Sequence, residues 1–253
     1  MKGIKAFAKK YWGTLVVLIA IVLGYKFVTD NELIDKVLFP TIGRIAKAFM
    51  NHASEMPMNF VSSMTLLIPS LFLGTVIALA AGVFLGTHKR LRDTLYPLVY
   101  AVSVIPAILL SPFALYLAPS FSVASMFLIV YNTIWATLFA TITGIMTIDK
   151  RYQDNADTLC LTGFKRLRKV VLPAAMPSIL SGFVTSLRSS FLVLVFAEMY
   201  SAQYGMGYFV KKNSDFGLYD NTWAGFLFMI VVLVIVMQIF EKVKNHLLKW
   251  TID

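Results

Sequence analysis

Two long stretches of the chain carry no formally charged side chain, and this feature limits what the chain can fold into. The first runs from Met56 to Thr87 and the second from Thr94 to Ile148. The hydrocarbon core of a membrane is about 30 Å thick and is crossed by roughly 20 helical residues. The first stretch therefore predicts one tilted span, and the second predicts two spans that reverse near Pro119.

The rest of the chain fits the same class of protein. It has 253 residues, of which 58% are apolar, well above the roughly 45–50% of soluble domains. We predict an all-α membrane protein in which residues 1–253 form a single transmembrane domain of about six helices. The predicted spans are 13–29, 60–87, 94–117, 121–147, 174–198 and 222–241. The basic start followed by an apolar run resembles a signal peptide but lacks a small-x-small cleavage site, so we interpret it as an uncleaved first span.

Between the first two spans, apolar residues recur at helical spacing from Ile42 to Phe49. This spacing predicts a helix, which either lies on the membrane surface or packs as an ordinary loop helix.

The distribution of charge predicts the orientation of these spans. Sixteen Lys and Arg residues fall on one side of the membrane and six on the other, whereas the acidic residues divide evenly. Short cytoplasmic loops are enriched in Lys and Arg, so both termini are predicted to be cytoplasmic, in the bacterial cytoplasmic (inner) membrane. Because the basic excess follows from orientation in a lipid membrane, it argues against nucleic acid as a partner.

The chemistry-bearing residues argue against catalysis by this chain. Cys160 is the only cysteine and the three histidines lie far apart, so we expect no metal site. No phosphate-binding G-x-x-x-x-G-K-[ST] motif occurs. We therefore expect that the chain is not an enzyme and binds no cofactor itself.

The predicted cytoplasmic loop from 149 to 172 is unusually long. Its sequence predicts a short helix from Tyr152 to about Leu161, a turn at Thr162-Gly163, and a span whose first turn holds Pro173.

This loop resembles the "EAA" loop of binding-protein-dependent ABC importer permeases, whose pattern is E-A-A, then G, then I-x-L-P. The matching positions are Asp154, Asn155, Ala156, Cys160, Val170, Leu172 and Pro173. In the family this loop forms a coupling helix that docks in a groove of the ATPase subunit. The resemblance thus implies that ATPase coupling uses Asp154, Asn155, Ala156, Leu159, Cys160, Leu161, Thr162, Gly163, Phe164, Leu172 and Pro173. Three of these residues depart from the family pattern: Asp154 replaces glutamate, Asn155 the first alanine, and Cys160 the glycine. These departures leave two alternatives open, altered docking or pairing with a particular ATPase.

The resemblance extends to GVFLGTHKRLRDTLYPLVYAVSVIPAILLSPFALYLAP and to Ala197-Glu198-Met199 followed by Gly205-Met206-Gly207-Tyr208. These segments are similar to the nitrate/sulfonate/taurine-type branch of the family. The resemblance implies a type I ABC importer-like permease. Its implied partners are two copies of an ABC ATPase that binds ATP and Mg, a second permease copy forming a homodimer, and a periplasmic or lipid-anchored solute-binding protein.

Several polar residues lie inside predicted spans and are candidates for the substrate path: Arg188, Ser186, Ser189, Glu198, Tyr131 and Asn132. A charge at mid-bilayer costs about 2.5–3.5 kcal/mol on insertion scales, so Arg188 is expected to face a cavity or a partner. Its guanidinium suits an anionic solute, although pairing with a neighbouring span is an alternative. Glu198 is expected near the outer mouth, where it contacts solute or fixes the outer loop. For Tyr131 the alternatives are facing the path and packing against a neighbouring helix.

The remaining alternative is a secondary transporter, or another six-helix membrane protein that is not coupled to an ATPase. Secondary transporters usually build their site between two repeats, and no repeat is visible here. That alternative also leaves the long cytoplasmic loop unexplained.

Overall fold

The computed structural model describes residues 2–249, and the side chains of 12–200 and 202–249. Every regular element in this range is helical. The elements are α1 (Lys2–Asp30), α2 (Ile42–Asn51), α3 (Met56–Thr87), α4 (Lys89–Ser103), a 3₁₀ turn (Ala107–Leu110), α5 (Ser111–Leu117), α6 (Phe121–Met146), α7 (Lys150–Thr158), α8 (Gly163–Arg166), a π turn (Leu167–Val171), α9 (Leu172–Ser201), α10 (Met206–Asp215) and α11 (Tyr219–Leu247).

Five helical segments in this range are long and apolar enough to cross a membrane, and the α4–α5 pair makes a sixth crossing when counted as one span. That pair is bent by 75°, whereas the sequence predicted one span over 94–117. Pro106 lies in the break; it lacks an N–H donor and disfavours a helical conformation at Ile105. The Tyr131 hydroxyl of α6 donates to the carbonyls of Val102 at 2.7 Å and Ile105 at 3.2 Å. Two carbonyls that lose their helical partners at the break therefore accept from the Tyr131 side chain, as backbone groups in an apolar environment require.

Helices α3, α6 and α9 pack closely along their length and form the core. Glycines of α3 make its close approach to α6 possible, for example at Gly74 and Gly82. A β-carbon at Gly74 would lie 2.7 Å from the Thr133 Cβ, and one at Gly82 would lie 2.7 Å from the Thr141 Cβ. These small residues bring the two backbones together as in other membrane helix pairs.

The helix between the first two spans packs against the bundle. Ile45 and Ala48 of α2 are buried in a cluster with Ala224 of α11. Arg44 forms two contacts with Asp220, from Nε at 3.0 Å and from Nη2 at 2.8 Å. The segment is thus helical, as predicted, and packs against α11.

The helix of the fifth predicted span begins earlier than expected. Residues 163–201 are continuously helical through α8, the π turn and α9, whereas the sequence predicted a loop to residue 172 and a span from 174. A proline ring clashes with the carbonyl four residues before it, here that of Lys169 ahead of Pro173. The wider π turn at this position relieves the clash.

Candidate functional site

The segment from Asp149 to Phe164, called the α7 loop below, contains the short helix α7 and the turn that follows it. Hydrogen bonds define both ends of this helix. The Asp149 side chain caps the start, accepting a bond from the Arg151 N–H at 2.9 Å. At the other end, the Cys160 N–H donates to the Asp157 carbonyl and the Leu161 N–H to the Ala156 carbonyl, both at 2.9 Å. This pair of bonds is a Schellman motif, which ends a helix with one residue in the left-handed region.

That left-handed residue is Cys160, with φ of +51°. Glycine is favoured in this conformation because it has no β-carbon. The family pattern has glycine at this position, and the structure gives a physical reason for it. Cys160 is exposed and adopts the same turn in spite of its side chain.

The α7 loop presents apolar side chains to its surroundings. Leu159 is 69% exposed and Phe164 is 73% exposed, whereas Ala156 is fully buried and anchors the loop. Exposed apolar groups clustered on a polar segment are typical of a contact surface. Of the other predicted coupling residues, those exposed are Asp154, Asn155, Thr162 and Gly163, and those half-buried are Leu161, Leu172 and Pro173. The last two belong to α9, beyond the exposed part of the loop.

The loop is braced against the following span. Arg166 in α8 forms an ion pair with Asp157 in α7, and the helix continues from Gly163 to Ser201 without a gap. The ion pair and the continuous helix thus connect α7 to α9.

The polar side chains of α6 and α9 mostly bond to each other. Asn132 Nδ2 donates to Ser189 Oγ at 2.9 Å and to Ser190 Oγ at 3.2 Å. Ser186 is fully buried and donates to the Thr133 carbonyl at 2.7 Å. In this conformation Ser186 and Asn132 hold two helices together rather than face an open path.

Arg188 lies on the other face of α9. It is exposed, and Ser181, Thr185 and Leu192 are exposed at helical spacing on the same face. Arg188 has no hydrogen-bond or ion-pair partner among the side chains that the structure describes. Of the residues predicted for the substrate path, Arg188 is thus the one whose side chain is exposed.

Glu198 is fully buried and belongs to a clamp at the start of α10, formed by side chains from α3 and α9. Gly205 N–H donates to Asn59 Oδ1 at 3.1 Å, Met206 N–H to Ser63 Oγ at 3.0 Å, and Gly207 N–H to Glu198 Oε2 at 2.8 Å. The first N–H groups of a helix lack intrahelical partners and favour negative charge. The clamp supplies three acceptors, one of them a carboxylate.

Sequence reasoning did not identify Asn59 and Ser63 as part of this clamp. They lie 146 and 143 residues from their partners, and nothing in the local pattern of α3 distinguishes them. The glycines around Met206 were the available signal, because Gly205 has a positive φ of +128°.

Five apolar helices and a bent pair that makes a sixth crossing when counted as one span, with the short exposed helix α7 between two of them, are features of a multi-pass membrane permease subunit. Residues 74–250 match the family described as "Binding-protein-dependent transport system inner membrane component", and the chain belongs to that family. It is accordingly a multi-pass protein of the inner membrane.

Three curated relatives are permeases of related systems. The putative aliphatic sulfonates transport permease protein SsuC of Bacillus subtilis is 28% identical, covering 70% of this chain and 64% of the relative. The bicarbonate transport system permease protein CmpB of Synechococcus elongatus is 29% identical, covering 59% and 54%. The nitrate import permease protein NrtB of Synechocystis is 27% identical, covering 53% and 49%. The matches span less than two thirds of each relative, and they confirm the predicted branch.

A solved structure of the MetNI methionine ABC transporter in an inward-facing conformation has a similar fold. Its TM-score is 0.68 at 15% identity, covering 78% of this chain and 98% of that chain. This likeness confirms the predicted type I importer-like fold.

Proposed function

We propose that this chain forms half of the translocation path of an ABC importer and couples it to a separate ATPase through α7. The observation that carries the proposal is the α7 loop, which exposes Leu159 and Phe164 while an ion pair ties it to α8. A short helix followed by exposed apolar side chains at the end of a bundle suits docking in a groove of another protein. ATP and Mg²⁺ are bound by that partner, of which two copies serve two permease copies.

The proposed topology has both termini and α7 in the cytoplasm, with residues 1–253 acting as one permease domain. Helices α2 and α10 then lie on the outer side, where a periplasmic or lipid-anchored binding protein delivers the solute. The unequal distribution of Lys and Arg between the two sides supports this orientation.

The exposed face of α9 supports the proposal that two copies of the chain form a dimer. Arg188 is exposed at mid-span with polar neighbours, and contact with lipid would be costly for a guanidinium. A homodimer places this face at the subunit boundary, where water and solute replace lipid. A small anionic solute would complement Arg188, in keeping with relatives named for sulfonate, bicarbonate and nitrate.

The single native thiol tests the orientation. A membrane-impermeant maleimide should label Cys160, which is exposed, in inverted membrane vesicles but not in intact spheroplasts. The control is a C160S/Q203C variant, because Gln203 is exposed beyond the opposite end of α9, and its labelling pattern should be reversed. Labelling of Cys160 in spheroplasts would refute the orientation.

Co-purification tests the coupling. The L159A/F164A variant should lose the ATPase that co-purifies with the wild-type chain. The matched control is F216A/L218A, which removes the same two side-chain types from exposed positions near α10, 73% and 51% exposed. Equal ATPase recovery from both variants would contradict docking through α7. Solute uptake by the chain in vesicles without any ATPase would contradict the importer proposal and favour the alternative, a secondary transporter.

A further inference from the structure

An open cavity lies behind the α7 loop, where α3, α6 and α8 end or begin. Its volume is about 690 Å³, and its wall includes Lys89, Arg92, Gln153 and Arg166. The three cations come from the start of α4 and from α8, which are far apart in sequence. The fold therefore concentrates positive charge at one point where the apolar spans end.

The carboxylates near this cavity neutralise it only in part. Asp157 pairs with Arg166. Asp93 Oδ1 lies 3.8 Å from the Arg92 Nε, and one Arg92 nitrogen is engaged by the Gly86 carbonyl. Lys89 has no ion-pair or hydrogen-bond partner among the described side chains. The two carboxylates do not neutralise the three basic side chains, so the cavity keeps a net positive charge. A ligand of this cavity is therefore expected to be an anion.

A second cavity adjoins the first and is more apolar. It has a volume of about 460 Å³ and shares Arg92 and Met146 with the first cavity. Asp93 lies in its wall near the shared end, and the wall continues along the spans past Tyr96, Pro97 and Ile142. A ligand that fills both cavities has a charged group at one end and an apolar chain at the other. That description fits an amphiphile, whereas a free anion would use only the first cavity.

We propose that these joined cavities bind an anionic phospholipid, with its phosphate beside Lys89, Arg92 and Arg166 and one acyl chain along α4 and α6. Basic pockets between membrane helices on the cytoplasmic side bind acidic lipid head groups in this way. The bound phosphate would bridge the α3–α4 turn and α8, which is itself paired to α7. The lipid thus becomes part of the brace that holds the α7 loop to the bundle.

Native mass spectrometry of the purified chain tests the proposal. The protein is exchanged into mixed micelles with equal dioleoyl-phosphatidylglycerol and dioleoyl-phosphatidylcholine, and bound lipid is counted per chain. The wild-type chain should retain one phosphatidylglycerol, and the K89Q/R92Q variant should bind it about 30-fold more weakly, from about 1 kcal/mol for each basic residue. The R168Q/K169Q variant removes the same charge from exposed positions outside both cavities and should retain the lipid.

A single substitution keeps the test independent of folding, since Arg92 also bonds to a backbone carbonyl. K89Q removes an exposed side chain and should weaken binding about fivefold, with K150Q as its control. Equal phosphatidylglycerol retention by K89Q, K150Q and the wild type would overturn the proposal. Inorganic phosphate that binds the lipid-free chain and displaces phosphatidylglycerol at millimolar concentration would also overturn it, because the ligand would then be free phosphate.

Discussion

Replacing Cys160 by glycine should stabilise the end of α7, because the present residue holds a left-handed backbone with φ of +51°. This conformation costs a residue with a β-carbon roughly 1–2 kcal/mol. Glycine avoids that cost but loses about 0.5–1 kcal/mol through its greater freedom when unfolded. We expect a net gain on the order of 0.5–1 kcal/mol in the free energy of opening the helix end.

Hydrogen–deuterium exchange of the detergent-solubilised chain measures this local change better than global unfolding. The Cys160 and Leu161 amides donate the two bonds that close the helix, so their exchange reports opening of the turn. A gain of about 1 kcal/mol slows exchange roughly fivefold in the peptide from 150 to 161, after correction for intrinsic rates.

Two further variants separate backbone strain from other effects of the thiol. C160A keeps a β-carbon and should exchange as the wild type does, whereas C160V adds β-branching, which is strongly disfavoured at positive φ, and should exchange faster. If glycine and alanine protect the helix end equally, the left-handed strain is not the cause and the reasoning is wrong.

Three other substitutions test the spans and the outer end. R188A should impair ATP-driven uptake of an anionic solute in proteoliposomes while the amount of assembled complex, measured by size-exclusion chromatography, is unchanged; unaltered uptake kinetics would remove Arg188 from the path. E198A should leave the buried Gly207 N–H without its acceptor and lower stability by about 1–3 kcal/mol, seen as a lower melting temperature in detergent and faster proteolysis between α9 and α10, whereas E198Q should retain most of the protection. Y131F should remove the donor from the α4 break at a cost of about 1–2 kcal/mol, measured by thermal denaturation, and a wild-type melting temperature would show that the two carbonyls find other donors.

In the proposed mechanism the brace between α7 and α9 has a specific consequence for transport. Closure of two ATPase subunits moves both α7 helices, and the continuous helix from Gly163 carries that motion to the face that holds Arg188. The clamp around Gly205–Gly207 ties the outer end of the same helix to α3 and α10. Motion at one end of α9 therefore reaches the outer mouth through packed helices rather than through a flexible loop.

The amino-acid sequence determined the class of this protein. Charge is costly in lipid, so uncharged stretches mark the spans. The loop pattern from Asp154 to Pro173 by itself indicated the importer family. The helical periodicity from Ile42 to Phe49 also predicted α2. These properties depend on residue type and local spacing, which a single chain displays directly.

Only the tertiary structure decided which polar side chains are engaged. Ser186 and Arg188 are two residues apart, yet one is buried against α6 and the other is exposed. Burial depends on which face of α9 meets another helix, and apolar residues occur on every face of a membrane helix. The partners of Gly205 and Met206 lie in α3, more than a hundred residues away. Such pairings arise when distant helices pack, and hydrophobic periodicity does not predict them.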